Sequence, residues 1–219
     1  MGNGTETFSL LEFFQMGGIF MWPLLLFSVA TVAIAAERTI YLVYHNLRLD
    51  DLREAVHGYI VKNDFAGARD YLTANTKRRI GARILLTLID RSSLSEHQME
   101  KAVEAQAGSC IGNLENGFNF LITLGAVSPL TGFLGTVSGM IGAFKSIAEA
   151  TEVNAQIVAN GIYEALITTV FGLVIALIAV TSHSILTHIV DKFAGEVEKT
   201  CADLITEIAV TDNSRDAAQ

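Results

Sequence analysis

Three long runs without a charged side chain divide this sequence, and they decide most of what it can fold into. Ile19 to Ala36 gives 18 such residues, Phe118 to Phe144 gives 27, and Ala165 to Thr187 gives 23. A helix needs roughly 20 apolar residues to cross the hydrocarbon of a bilayer. The first run is slightly short, but Tyr41, Leu42, Val43 and Tyr44 continue it past the Glu37-Arg38 pair. No β-hairpin signal competes anywhere. The expectation is an all-α membrane protein with three transmembrane helices, at 19–44, 118–144 and 162–188.

Lys and Arg accumulate on the cytoplasmic side of such spans. The first 37 residues contain neither, and the stretch between the second and third spans offers only Lys145. Arg48, Arg53, Lys62, Arg69, Lys77, Arg78, Arg79, Arg83, Arg91 and Lys101 all lie between the first and second spans. Lys192 and Lys199 follow the third. This asymmetry predicts a periplasmic N-terminus (1–18), a cytosolic helical region (45–117), a periplasmic turn (145–161) and a cytosolic C-terminal helix and tail (189–219). A cleavable signal peptide would need a positively charged start, which the first residues lack.

Local patterns fill in these segments. Residues 7–16 read as an amphipathic helix in the outer interface, with Phe8, Leu11, Phe13 and Phe14 on its apolar side. Trp22 suits the mouth of the first span, and Pro23 is tolerated in a helix's first turn. In the region 45–117, Leu49, Leu52, Val56, Tyr59 and Ile60 form one apolar face. Phe65, Ala68, Tyr71 and Leu72 form a second, and Ile80, Ile84, Leu85, Leu88 and Ile89 a third. Ser93 with Glu96 has capping-box spacing. With no breaker read before Pro129, one helix of about fifty residues is expected from Leu94 to Phe144, on the order of 75 Å long. Pro129 would bend it within the membrane. Ile189, Phe193, Val197, Cys201, Leu204 and Ile208 make a stripe continuing the third span, whose expected partner is the extended second helix. The residues after Thr211 are polar and predict a disordered tail.

Within the second span, Gly125, Ser128, Gly132, Gly135, Gly139 and Gly142 recur at alternating spacings of three and four. On a helix this makes one flat seam, and close packing over small residues drives helix association in lipid. The seam is expected to let neighbouring subunits approach and to leave a smooth inner wall.

Few side chains here could carry chemistry. Glu164 is the carboxylate bordering a span away from the cytosolic face, and a buried acid there would be costly. It is either an interfacial residue reaching headgroup water or a protonatable group beside an ion path. Thr168, at i+4, shares its face, whereas Thr169 does not. Thr136 and Thr169 number symmetrically about the turn, so their hydroxyls are expected at one membrane depth. Either threonine could instead bond its own i−4 carbonyl. His183 and His188 are five apart and read as interfacial, since a metal pair on a helix wants three or four. Cys110 and Cys201 cannot form a disulfide framework and read as ordinary helix residues in a reducing cytosol. The net charge of −8 gives no nucleic-acid footprint. No nucleophile with its base, phosphate loop or metal cage is present, so no enzyme, cofactor or metal is expected.

At this point the residues resemble a known family. Ser128-Pro-Leu-Thr-Gly-Phe-Leu-Gly-Thr-Val-Ser-Gly-Met-Ile-Gly-Ala-Phe144 is similar to the second-span signature of the MotA/TolQ/ExbB proton-channel family. Gly161-Ile-Tyr-Glu-Ala-Leu-Ile-Thr-Thr169 resembles its start of the third span, and Glu37-Arg38 also matches. Three spans and 219 residues look like the ExbB/TolQ branch rather than four-span MotA. Asn160 and Ile178 stand where prolines are usual, and Tyr163 where a small residue is usual. The resemblance implies a homopentamer in the bacterial inner membrane, enclosing helices of a single-span ExbD/TolR-like partner and surrounded by membrane lipid. Proton flow through that partner's aspartate would energise TonB- or TolA-like proteins. By position, Thr136 and Thr169 correspond to the family's pore-lining threonines and Glu164 to its third-span glutamate. A Na⁺-driven member of the class and a non-conducting helical scaffold are the alternatives.

Overall fold

The computed structural model describes residues 17–149 and 155–216, and every regular element among them is helical. The expected amphipathic helix at 7–16 lies outside the described residues. The helices are α1 (Met21–Tyr44), α2 (Asp50–Val61), α3 (Phe65–Asn75), α4 (Ile80–Asp90), α5 (Glu96–Glu115), α6 (Phe118–Glu149) and α7 (Ala155–Asp216). Three stretches are long and apolar enough to span a membrane, within Met21–Tyr44, Glu96–Glu149 and Ala159–Thr211. The chain divides into two compact units.

The first unit takes residues 1–36 and 117–184, and holds the apolar blocks. Met21 and Leu24 of α1 form a buried cluster with Ile167 and Ile175 of α7, flanked by Phe27 and Phe171. Helix α6 packs against α7 along the small-residue seam. The second unit takes residues 37–116 and 185–219. Its three short helices bury the apolar faces read from the sequence: Leu52, Val56 and Ile60 from α2, Ala68 and Leu72 from α3, and Ile80, Ile84, Leu85, Leu88 and Ile89 from α4. Asp64 caps α3 by accepting a bond from the Gly67 N–H at 2.8 Å, an arrangement typically worth about 1 kcal/mol. Arg53 ties α2 to Asp203 of α7 at 2.7 Å.

Several sequence expectations fail for local physical reasons. The fifty-residue helix is interrupted at Asn116-Gly117, where Asn116 turns extended (ψ 129°) and Gly117 takes φ +91°. That left-handed conformation is open to glycine without steric cost, and it ends α5 before α6 begins. The Ser93–Glu96 capping box does not form. Ser95 is the N-cap, and its side chain makes no capping bond. Helix α6 does run through Pro129, as expected. At its other end α6 runs on to Glu149, and α7 starts at Ala155, so helix covers much of the expected 145–161 turn. At the C-terminus α7 extends through Thr211 to Asp216, where a disordered tail was expected. In its stripe Val190 is buried in place of Ile189, with Phe193, Val197, Cys201, Leu204 and Ile208 as expected.

Candidate functional site

The seam of α6 is a packing surface for α7 of the same chain. A Cβ on Gly132 would stand 2.7 Å from the Thr168 carbonyl oxygen and 3.1 Å from Thr169 Cα. A Cβ on Gly125 would meet Val180 at 2.9 Å, and one on Gly139 would meet the Gly161 carbonyl at 3.1 Å. Gly135 faces the Thr168 side chain. Gly142 does not belong to the seam: nothing lies within 4 Å of its Cβ position. Ala143 replaces it and packs on Gly161, because the straight helix has drifted past the heptad by its last turn. Gly125, Ser128, Gly132 and Gly135 are thus buried within one chain, whereas Gly139 is half-buried and Gly142 exposed.

What α7 presents to it is a second row of small residues. Gly161, Ala165, Thr168, Gly172, Ala176 and Ala179 all meet α6 glycines, serine or alanine. Gly172 comes nearest to Ser128, whose carbonyl oxygen would sit 2.5 Å from an added Cβ. This opposing row was present in the sequence as spacings of four and three, and reading each span singly overlooks it.

Two hydroxyls close the centre of the seam. Thr168 Oγ1 donates to the Ala165 carbonyl at 2.8 Å and lies 3.1 Å from the Gly132 carbonyl. Thr169 Oγ1 donates to the same Gly132 oxygen at 3.3 Å. Thr168 is fully buried, whereas Thr169 is half-buried. Thr136 donates to its own helix at Phe133, at 2.6 Å. Thr136 and Thr169 thus bond the carbonyls of two successive residues of α6, Phe133 and Gly132, which a helix sets about 1.5 Å apart along its axis.

Glu164 stands near the beginning of the third apolar block. Its carboxylate lies directly against Gly18, the residue just before the first apolar block, in a space that any Cβ at Gly18 would occupy. Gly18 holds φ +65°, a second reason for glycine there. Gly17 packs beside it, 3.4 Å from Ile167 at its Cβ position. The acid is thus level with the boundary of the first span, where its charge costs least. Thr168 does not bond Glu164, because its hydroxyl is engaged by carbonyls. Sequence reasoning also missed Thr31, a fully buried hydroxyl of α1 whose oxygen has no hydrogen-bond partner. It lies two turns beyond Leu24 and so on the face of α1 that packs on α7.

His183 packs edge-on against Phe118 with ring centroids 6.0 Å apart. Cys110 and Cys201 are buried free thiols, and burial pushes the Cys201 thiol up to about 12. Among the described residues no group of His, Cys, Asp and Glu could hold a metal.

A protein-family model matches residues 73–199, which contain the seam, both threonines and Glu164. The chain belongs to the MotA/TolQ/ExbB proton channel family. It is 32% identical over 207 residues to a putative biopolymer transport protein, ExbB-like 1, of Synechocystis, covering 87% of this chain and 77% of that protein. It is likewise 32% identical to biopolymer transport protein exbB1 of Vibrio cholerae, over 88% of this chain and 85% of the relative. A shorter stretch is 45% identical to the Tol-Pal system protein TolQ of Haemophilus influenzae, covering 34% of this chain and 32% of that one. With three apolar spans, this family member is a multi-pass inner-membrane protein.

Proposed function

We propose that this chain is the channel-forming stator subunit of an inner-membrane motor driven by the proton motive force. In this reading it assembles as a homo-oligomer, with a pentamer expected, around a single-span ExbD/TolR-like protein. The complex energises outer-membrane transport or envelope processes through a TonB- or TolA-like protein. The chain itself performs no bond chemistry. Its N-terminus is periplasmic, and the helices α2–α5 and the end of α7 are cytosolic, in keeping with the placement of Lys and Arg.

The observation that carries this reading is the half-buried Thr169 hydroxyl on the Gly132 carbonyl, between two runs, 118–144 and 165–187, that carry no charged residue. Hydroxyl and carbonyl oxygens can accept and pass a proton but do not titrate near neutral pH. A carboxylate must come from elsewhere, and a partner helix carrying an acid supplies it. Ionisable groups at membrane depth mark such relays. Membership of the proton channel family, and the biopolymer-transport and Tol-Pal names of its relatives, support the same conclusion.

The test is acid-driven proton uptake by proteoliposomes that hold the chain with its single-span partner. Thr169→Val keeps the shape and removes the hydroxyl, and should cut uptake about tenfold with assembly unchanged, one positioned proton-transfer group being worth at least that much. Full uptake by the valine variant overturns the assignment. Uptake that requires Na⁺ and ignores a protonophore assigns the same oxygens to Na⁺. No flux at all with the partner present leaves a packing scaffold.

A further inference from the structure

A polar cavity of about 530 Å³ lies in the second unit, at the foot of α1. Tyr44, Asp51, Tyr71, Asn75, Arg78 and Arg79 line it. The local sequence dictates its form. After α1 ends at Tyr44, Asn46 takes φ +32° and the chain turns into α2. The Arg78 and Arg79 N–H groups both donate to the Asn75 carbonyl, at 3.3 and 3.1 Å, which fixes the two arginines in the turn between α3 and α4. Arg79 then pairs with Asp51 of α2 at 2.5 Å.

That ion pair leaves the charges unequal. Asp51 neutralises Arg79, and among the described residues no carboxylate pairs with Arg78. The cavity therefore carries a net charge of one positive unit, with a guanidinium free to make forked hydrogen bonds. A planar fork of N–H donors matches phosphate oxygens better than any other group a side chain offers. Tyr44 and Tyr71 add phenols, which can both donate and accept. A singly charged phosphodiester satisfies this set, whereas a dianion would exceed the available charge.

The surroundings say where the phosphodiester comes from. Tyr44, which lines the cavity, is also the last residue of the first span. Above it on α1, Ile40 is 68% exposed, Val43 78% and Tyr44 itself 60%. A second shallow depression, lined by Ile40, Tyr41 and Tyr44 with Glu37, runs along that same turn. An apolar track thus leads into a cationic cavity at the end of a membrane helix. Only an amphiphile fits both parts, because a soluble phosphate has nothing to lay along Ile40 and Val43. Basic pockets at the membrane surface attract anionic headgroups in just this way.

We propose that this cavity is a specific site for an anionic phospholipid, with the phosphodiester held by Arg78 and an acyl chain along Ile40 and Val43. The site locks the foot of the first span to the α2–α4 unit, since the lipid touches both. It is independent of the ion pathway, as neither Thr169 nor Glu164 takes part.

The experiment is native mass spectrometry of the full chain released from nanodiscs, made either with phosphatidylglycerol or with phosphatidylcholine alone. The wild-type chain should retain one phosphatidylglycerol per copy and at least about tenfold less phosphatidylcholine. Arg78→Gln should lower phosphatidylglycerol retention about tenfold, the scale of one charge-assisted fork, and Arg78→Lys should lie between. Arg91→Gln, an exposed cation outside the cavity, should match wild type. Circular dichroism checks that the variants keep their helix content. Equal retention of the two lipids by wild type overturns the proposal without reference to any variant. Displacement of the bound lipid by millimolar inorganic phosphate also overturns it, as does unchanged retention by a folded Arg78→Gln.

Discussion

Replacing Gly132 with alanine should separate α6 from α7, whereas the same change at Gly142 should not. The new methyl carbon at Gly132 would lie 2.7 Å from the Thr168 carbonyl and 3.1 Å from Thr169 Cα. Both are backbone atoms, so no side chain can swing away. Reaching ordinary contact requires the helices to part by about 0.7 Å, and overpacking of this kind costs about 1–3 kcal/mol. The same movement carries the Thr168 and Thr169 hydroxyls beyond bonding distance of the Gly132 oxygen, from 3.1 and 3.3 Å. Interhelical bonds in membranes average about 0.6 kcal/mol each. Alanine regains about 1 kcal/mol over glycine in a helix. The net expectation is a loss of about 1–3 kcal/mol for Gly132→Ala. Gly142→Ala meets nothing within 4 Å and keeps only the helix gain, so it should be neutral or stabilised by up to about 1 kcal/mol. Reversible unfolding in mixed micelles, followed by circular dichroism, separates the two. Equal stabilities for the two variants would refute the seam as an internal packing surface.

Glu164→Gln should abolish proton uptake in proteoliposomes while assembly by size exclusion survives, if the acid serves the ion path; full uptake leaves it an interfacial residue. Gly18→Ala should destabilise by about 1–3 kcal/mol in the same micelle unfolding assay, since it combines φ +65° with a collision against the Glu164 carboxylate; wild-type stability would contradict the described contact. The Arg79 guanidinium holds the Asp51 carboxyl below its usual range. Because that pKa is depressed in the fold, the pair's contribution is present at neutral pH and is lost only as pH falls below roughly 4. Arg79→Gln should therefore flatten the acid limb of the unfolding midpoint and leave pH 6–8 unaltered in slope. Cys201, with its thiol pushed up to about 12, should alkylate far more slowly than a free thiol at pH 8, and denaturation should release it, as read by mass shift with iodoacetamide.

The sequence made the fold legible wherever one helix's own periodicity carries the information. The apolar faces of α2, α3 and α4 could be read because each repeats every three or four residues over a short helix with a clear stop. The interruption at Asn116-Gly117 was harder to see, because the surrounding pattern is helical on both sides. Yet an asparagine before a glycine is itself a helix-ending signal, and it outweighed that periodicity. Gly142 was assigned to the seam by extrapolating a heptad, while a straight helix of 3.6 residues per turn drifts out of it. The opposing row on α7 and the Gly18–Glu164 contact depend on two segments meeting, which no single-helix pattern contains.

The burial of the seam changes what an ion path in this family member can be made of. Thr168 gives its hydroxyl to two carbonyls and is sealed between α6 and α7, so it cannot face a lumen without parting the helices. Thr169 and Thr136 remain partly exposed and bond the carbonyls of the successive residues Gly132 and Phe133, with Phe133, Leu134 and Val137 exposed around them. Such a wall offers hydroxyl oxygens and no charge. A carboxylate passing along it is stable only if it is protonated or level with a hydroxyl, because an unpaired charge on an apolar wall is costly. On the proposed reading, proton transfer is then tied to the moment at which an acid-bearing helix stands level with these hydroxyls. Moving one of them, as Thr136→Val with Val137→Thr, should preserve the number of oxygens but lower proton uptake. Uptake equal to wild type in that double variant would sink the argument.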